Sequence, residues 1–110
     1  MAKSRVELLQ GTLDMLILRV LMSGDNHGWG IAQRIQRISD DVLVVEEGSL
    51  YPALFRLERE GRVKSEWGQS ENNRRAKFYQ LTKAGRKYLE LEQQSWNQRS
   101  FAIQQVLKLA

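Results

Sequence analysis

The chain has 110 residues, enough for one domain with a modest core, and domains of this size often gain stability by oligomerising. It contains no cysteine, which excludes a disulfide framework, a thiolate metal site and a thiol nucleophile. The net charge at pH 7 is +4. No apolar run is long enough to span a bilayer or to form a signal segment, so we expect a cytoplasmic protein with no membrane partner.

The first part of the chain predicts two helices. The first has the sequence TLDMLILRVLMS, with Thr12 as its N-cap and Asp14 in its first turn, and it ends before Gly24. The segment DNHG follows as a turn. A second helix is predicted over residues 29–39. Its inward residues are Ile31, Ile35 and Ile38.

The segment EEGSLYPALFRLEREG predicts a third helix from about Ser49 to Glu60, although Pro52 lies inside the apolar pattern. With Ser49 as the N-cap, Pro52 falls in the first turn, where its missing N–H costs little. The core face then carries Leu50, Ala53, Leu54 and Leu57. The opposite face carries Ser49, Pro52, Arg56 and Arg59, with Tyr51 and Phe55 at its flank.

The outward face of this third helix has side chains suited to DNA. The Arg56 guanidinium can bind a guanine edge or a phosphate, and the Tyr51 hydroxyl can donate to a phosphate oxygen. Both residues also have a structural alternative, because Tyr51 can be a core aromatic and Arg56 can pair with Glu60. The sequence is compatible with either role.

Two runs rich in β-formers, RVKSEWGQ and RAKFYQLT, flank the polar segment SENNR and predict a hairpin. From Arg62 to Lys87, eight basic residues accompany two acidic ones, a local charge of +6, whereas the rest of the chain carries −2. This asymmetry indicates that a polyanion binds to one region. The hairpin residues suited to phosphate or minor-groove contact are Lys64, Asn73, Arg74, Arg75 and Lys77.

A last helix is predicted from Lys83 to about Leu109, roughly 40 Å long. One row of it carries Leu89, Trp96 and Ile103, flanked by Glu92, Arg99 and Val106. Such a stripe needs a partner, which we expect to be the same helix of a second copy. The stripe is polar around Trp96, so two paired indoles can hold a planar aromatic molecule; the alternative is that Trp96 only anchors the interface.

The order of these elements predicts an α+β, mainly helical fold, the winged helix-turn-helix. Residues 1–82 form the DNA-binding domain and residues 83–110 a long C-terminal dimerisation helix. In such a fold the third helix enters the DNA major groove and the hairpin reaches along the backbone.

Nothing in the sequence predicts catalysis, a cofactor or a metal. His27 is the only histidine, and without cysteine a transition-metal site would need carboxylates such as Asp25. A turn or capping role suits His27 better. Gly28 and Gly30 lack the third glycine and the lysine of a phosphate-binding loop. We therefore expect a protein that is not an enzyme.

Four motifs, LQGTLDMLIL, HGWGIAQRI, EEGSLYPALFRLEREG and NNRRAKFYQLTKAG, resemble in order and spacing the PadR family of bacterial transcriptional regulators. The resemblance spans residues 8–89 and is to the short subgroup with one C-terminal helix. It implies a dimeric winged-helix DNA-binding protein, usually a repressor, whose C-terminal helical region dimerises and often senses a ligand. It also extends to Trp96 the possibility of a planar ligand between subunits. Trp29 stands where a tyrosine is common, so an aromatic is kept.

Together, the residues and the resemblance predict a homodimeric repressor that inserts residues 49–59 into successive major grooves of a pseudo-palindromic operator in double-stranded DNA. There are two alternatives, the first within DNA binding and the second from another class. One is an architectural DNA-binding protein with little sequence preference. The other is a protein-interaction module whose basic hairpin binds an acidic partner.

Overall fold

The computed structural model describes residues 8–109 and confirms the winged helix-turn-helix fold. In chain order the elements are α1 (Gln10–Met22), β1 (Asn26–His27), α2 (Gly28–Ile38), α3 (Glu47–Arg59), β2 (Val63–Gln69), β3 (Arg75–Leu81) and α4 (Lys83–Leu107). Among the described residues, no helix is both long and apolar enough to cross a membrane.

The three strands form one antiparallel sheet in the order β1, β3, β2. The predicted hairpin of β2 and β3 is present and pairs along its whole length. Strand β1 pairs with the other edge of β3, with Asn26 opposite Tyr79 and His27 opposite Phe78. The expectation that DNHG is only a turn is therefore wrong, because two of its residues extend the sheet.

One cluster of buried side chains lies between the three N-terminal helices, the sheet and the start of α4. Its most deeply buried members are Ile17, Leu18, Ile31, Leu50, Leu54, Leu57 and Leu89. Ile35 is buried as predicted, but Ile38 is 68% exposed. Ile38 is the last residue of α2 and lies past the core, so its predicted inward position is wrong.

Two predicted N-caps are wrong because the helices begin earlier. Helix α1 begins at Gln10, so Thr12 lies inside it and Asp14 is beyond its first turn. Helix α3 begins at Glu47, and the carbonyl of Glu46 accepts hydrogen bonds from the backbone N–H groups of residues 49 and 50. Ser49 is consequently the third residue of α3 and not its N-cap.

Pro52 occupies the sixth position of α3, one turn later than predicted. Proline has no N–H, so the carbonyl of Gly48, four residues earlier, lacks its usual helical donor. Both residues are exposed, and water can bind that carbonyl. The ring of Pro52 faces solvent on the side of α3 opposite the core, so it displaces no core side chain.

The start of α4 is fixed to the turn between α3 and β2. The hydroxyl of Thr82 accepts from the Gly85 N–H at 3.0 Å and donates to the Gly61 carbonyl at 2.7 Å. Gly85 lies so close to this turn that a Cβ would overlap the carbonyl oxygen of Arg62. The Arg62 guanidinium stacks 3.6 Å from the centre of the Tyr88 ring. These contacts set the direction in which α4 leaves the domain.

We expect Leu54→Ala to lower the free energy of unfolding by about 2–5 kcal/mol, because Leu54 is fully buried and its loss leaves a cavity. Pro52→Ala should cause no loss, because it restores a helical donor at an exposed position. Urea unfolding followed by far-UV circular dichroism compares the two variants with the parent. A proline variant less stable than the Leu54 variant would contradict this description of α3.

Candidate nucleic-acid interface

The outward face of α3 is a strip of exposed residues. Leu50, Ala53, Leu54 and Leu57 all face the core. A helix turns about 100° per residue, which places four other residues on the opposite side. These are Gly48, Pro52, Phe55 and Arg59, all of them exposed, and we call them the α3 strip. Pro52 and Arg59 thus face outward as predicted, and Phe55, predicted at the flank, lies at the centre.

Ser49 and Tyr51 flank the α3 strip near the start of the helix. Ser49 is exposed and Tyr51 is 46% exposed, which excludes the alternative that Tyr51 is a core aromatic. A Cβ on Gly28 would lie 2.9 Å from the Tyr51 ring. Gly28 therefore allows this ring to lie directly against the N-terminal end of α2.

Arg56 does not take the outward position predicted for a base-reading residue. Its Nη2 donates to Oδ1 of Asp14 on α1 at 2.6 Å, and the two side chains are only 21% and 6% exposed. Its Nε is buried without a hydrogen-bond partner in the described part of the chain. The alternative prediction, that Arg56 pairs with Glu60, is also wrong, because the Glu60 carboxylate pairs with the Arg62 guanidinium at 3.0 Å.

The Asp14 carboxylate is the reason for this position of Arg56. Burial raises the pKa of Asp14, and the hydrogen bond and charge of Arg56 oppose that rise. The net direction is upward, so desolvation outweighs the attraction of the guanidinium. A buried carboxylate needs a cation, and Arg56 is the residue of α3 that supplies it. The pair connects α1 to α3.

The turn of the hairpin presents the basic residues that were predicted there. Asn73 adopts a left-handed conformation with φ of 58°, and its N–H donates to the Ser70 carbonyl at 3.0 Å. Arg74 and Arg75 follow it and are exposed. The guanidinium of Arg75 lies 4.6 Å from the centre of the Trp67 ring, which holds the charge at the surface.

Lys77 and Lys64 differ from the residues at the turn. The Lys77 ammonium lies 3.4 Å from a carboxylate oxygen of Glu58 on α3, which partly offsets its charge. Successive side chains of a strand point to opposite faces, and Lys64 pairs with Gln80 whereas Lys77 pairs with Trp67. The two lysines therefore lie on opposite faces of the sheet, and the prediction that Lys64 joins Lys77 is wrong.

A cleft of about 730 Å³ lies between the N-terminal ends of α2 and α3 and the hairpin. It brings together residues that the sequence had assigned to separate elements: Tyr51, Arg74, Arg75 and Lys77. It also includes Trp29 and Trp67, which the sequence analysis had not assigned to the interface. The HGWG motif places Trp29 at the start of α2, but no sequence signal shows that this end faces the hairpin.

The predicted capping role of His27 is confirmed. Its Nδ1 accepts a hydrogen bond from the Gly30 N–H at 3.0 Å, which caps α2. Its ring contacts Phe78 edge to face, with the centres 5.3 Å apart. His27 thus holds the end of α2 that borders the cleft.

The fold divides the stripe predicted on α4. Leu89 is buried in the core of its own chain, so it does not belong to an exposed stripe. Trp96 is 43% exposed, and Ile103 and Val106 are exposed further along the helix. Between α1 and α4 lies a groove of about 180 Å³, and its lining includes Trp96 and the predicted residues Glu92 and Arg99. The residues of the predicted stripe from position 92 onward are therefore accessible to a second copy or a ligand, whereas Leu89 is not.

Comparison with known proteins identifies relatives along most of the chain. The model of the Transcriptional regulator PadR-like family matches residues 17–91. A transcriptional regulator from Clostridium thermocellum is 32% identical, with a TM-score of 0.82 over 90% of this chain and 96% of that one. A PadR family transcription regulator from Clostridium difficile is 33% identical, with a TM-score of 0.75 over 86% of this chain and 97% of that one. A PadR-like transcriptional regulator from Bacillus cereus is 26% identical, with a TM-score of 0.79 over 93% of this chain and 97% of that one.

The Asp14–Arg56 pair predicts a pH-dependent change in stability. In Arg56→Met, Asp14 loses the two effects that lower its pKa, so its folded pKa rises further above the ordinary value. The variant is therefore more stable when Asp14 is protonated, and its folded state loses stability as the pH rises through that raised pKa. We expect a loss of roughly 3 kcal/mol at about pH 7 and a smaller loss at about pH 4.5.

Urea unfolding at both pH values measures this difference, and Arg59→Met is the matched control on the same helix. Arg59 is exposed, so its variant should change stability little at either pH. A loss from Arg56→Met that is equal at both pH values would contradict the proposed coupling to Asp14.

Proposed function

Because the chain belongs to the PadR-like family of transcriptional regulators, we propose that it is a homodimeric repressor that binds a pseudo-palindromic DNA operator in the cytoplasm. Members of this family are DNA-binding proteins and not enzymes. The proposal assigns residues 1–82 to DNA binding and residues 83–110 to dimerisation.

One observation carries the DNA-binding role: the start of α3 and the basic turn of the hairpin border the same cleft. The major groove is about 12 Å wide and admits a helix. With α3 in the groove, the hairpin would follow the adjacent backbone. Two groups of residues then have distinct roles. Ser49, Tyr51, Pro52 and Arg59 face the groove and its edges, and Asn73, Arg74, Arg75 and Lys77 contact phosphates or the minor groove.

We propose roles for Arg56 and Lys64 that differ from those suggested by the sequence. Arg56 is bound to Asp14, so we assign it to positioning α3 against α1 and not to reading bases. Lys64 lies on the other face of the sheet from Lys77, so it contributes to the long-range positive potential and not to the cleft.

Dimerisation is supported by α4. This helix has 25 residues, and its C-terminal part carries exposed apolar side chains that a second copy can cover. They are Trp96, Phe101, Ile103, Val106 and Leu107. Two recognition helices must lie about 34 Å apart to enter successive major grooves, and the fixed joint at the start of α4 transmits the dimer geometry to them.

The proposed effector is a planar aromatic molecule held at Trp96. The indole borders the groove between α1 and α4, together with Glu92 and Arg99. A second α4 would enclose this groove further, and a planar ligand could stack on the exposed indole. Glu92 would favour a cation. A ligand there would alter the angle between the two α4 helices and so the spacing of the recognition helices.

We expect DNA affinity to fall steeply with salt, and Arg74→Ala to reduce the slope of log affinity against log salt by about one unit. Arg74 is exposed and forms no ion pair among the described residues. Lys77→Ala is the matched comparison, and it should change the slope less, since Glu58 already offsets the charge of Lys77. Fluorescence anisotropy over a salt series, with operator and random duplexes, measures both slopes.

Three results of this titration would decide against the proposal. Equal affinity for operator and random DNA would indicate an architectural protein. The absence of duplex binding at low salt would favour a protein-interaction module. Binding that is insensitive to salt would contradict the role of the basic hairpin.

We expect planar aromatic dyes to quench tryptophan emission by stacking on Trp96, and Trp96→Ala to abolish dye binding while sedimentation shows that the variant is still dimeric. Trp67→Phe is the matched control, because Trp67 lies on the hairpin and its loss should leave dye affinity unchanged. A Trp96 variant that binds dyes as well as the parent would show that this indole is only an interface anchor.

A further inference from the structure

The α3 strip contains few hydrogen-bonding groups. Gly48 and Phe55 have no polar side-chain atom, and Pro52 lacks even a backbone donor. Arg59, in the last turn, supplies the only side-chain donors of the strip. The residue next to Phe55 that could supply more, Arg56, is held on Asp14 at 2.6 Å. Ahead of Arg59, the α3 strip itself therefore presents mainly apolar surface, and the hydroxyl groups of Ser49 and Tyr51 lie at its flanks.

Phe55 is the largest apolar side chain of this surface. It is 66% exposed, and it is not among the described side chains that form the core or pack against it. Its contact is with Arg59, whose guanidinium lies 5.8 Å from the centre of the ring. An exposed phenylalanine on a helix face that carries no other large apolar side chain is available for an external apolar group.

The major groove offers one apolar group on its base edges, the 5-methyl of thymine. The other groups there are hydrogen-bond donors and acceptors, for which Phe55 has no partner atoms. We propose that Phe55 determines sequence preference by packing against thymine methyl groups, with Gly48 and Pro52 leaving room for the close approach of the base edges.

The contact with Arg59 fits the same arrangement. A guanidinium beside the Phe55 ring is directed along the α3 strip and can reach a guanine edge or a phosphate near the contacted thymine. This inference rests on the proposed DNA-binding function, and it assigns base reading to Phe55 and not to Arg56, which is bound to Asp14.

The test removes single methyl groups from DNA without changing the protein. Full-length protein selects duplexes from a random-sequence library, and the selected duplex is resynthesised with deoxyuridine replacing each thymidine in turn. Uracil keeps all hydrogen-bonding groups of thymine and lacks only the methyl. We expect affinity to fall roughly three- to fivefold at one or two positions in each half-site, as the burial of one methyl implies.

Two variants connect that loss to Phe55. Phe55→Ala should bind the thymine and uracil duplexes equally, and Ile38→Ala should discriminate between them as the parent does. Ile38 is a matched control because it is 68% exposed and lies at the end of α2, outside the α3 strip. Melting temperatures close to that of the parent would show that both variants are folded.

The possible failures are distinct. Specific binding that no uracil replacement weakens, or a Phe55 variant that still discriminates, would overturn the role of Phe55 while the DNA-binding function stands. Binding without any enriched sequence would overturn the role of Phe55 and indicate an architectural protein. The absence of duplex binding would overturn both the inference and the proposed function.

Discussion

Burial of one face of α3 determines most of what this molecule presents to its surroundings. Leu50, Leu54 and Leu57 pack against α1, α2 and the sheet, and this fixes the rotation of α3 about its axis. The residues opposite them must then face solvent, whatever their polarity. The exposed positions of Pro52 and Phe55 are consequences of this packing, since among the described residues neither side chain forms a hydrogen bond.

Charged residues near α3 serve largely to position it. Asp14 holds Arg56 on the side of α1, and Glu58 holds Ser65 and Lys77 on the side of the hairpin. The first interaction removes Arg56 from the cations that the sequence suggested for DNA, and the second partly offsets the charge of Lys77. What remains outward is a helix with an apolar centre and one arginine, beside a hairpin turn with two exposed arginines. In the proposed function, the helix would supply contacts that choose a sequence and the hairpin turn would supply contacts that add general affinity.

The start of α4 relates this DNA-binding face to the proposed dimer. Thr82, Gly85 and Tyr88 join the helix to the turn that directly follows α3. If α4 rotated, these packed contacts would transmit the movement to the end of α3. The exposed apolar residues of α4 lie beyond this joint, where a second copy can cover them. An effector bound near Trp96 would act at the boundary between the two parts.

The sequence alone determined the order of the four helices and the hairpin, the buried face of α3 and the approximate extent of α4, because these depend on local periodicity and turn residues. Three features required the tertiary structure. The pairing of Asp14 with Arg56 joins residues 42 positions apart, and no spacing rule links them. Strand β1 has only two residues, too few to show a period, and exists because β3 has a free edge. Leu89 continues the seven-residue row on α4, but the packing of α1 against the start of α4 assigns it to the core. Periodicity shows which residues share a face of a helix, and only the packed neighbours decide whether that face meets the core, another subunit or solvent.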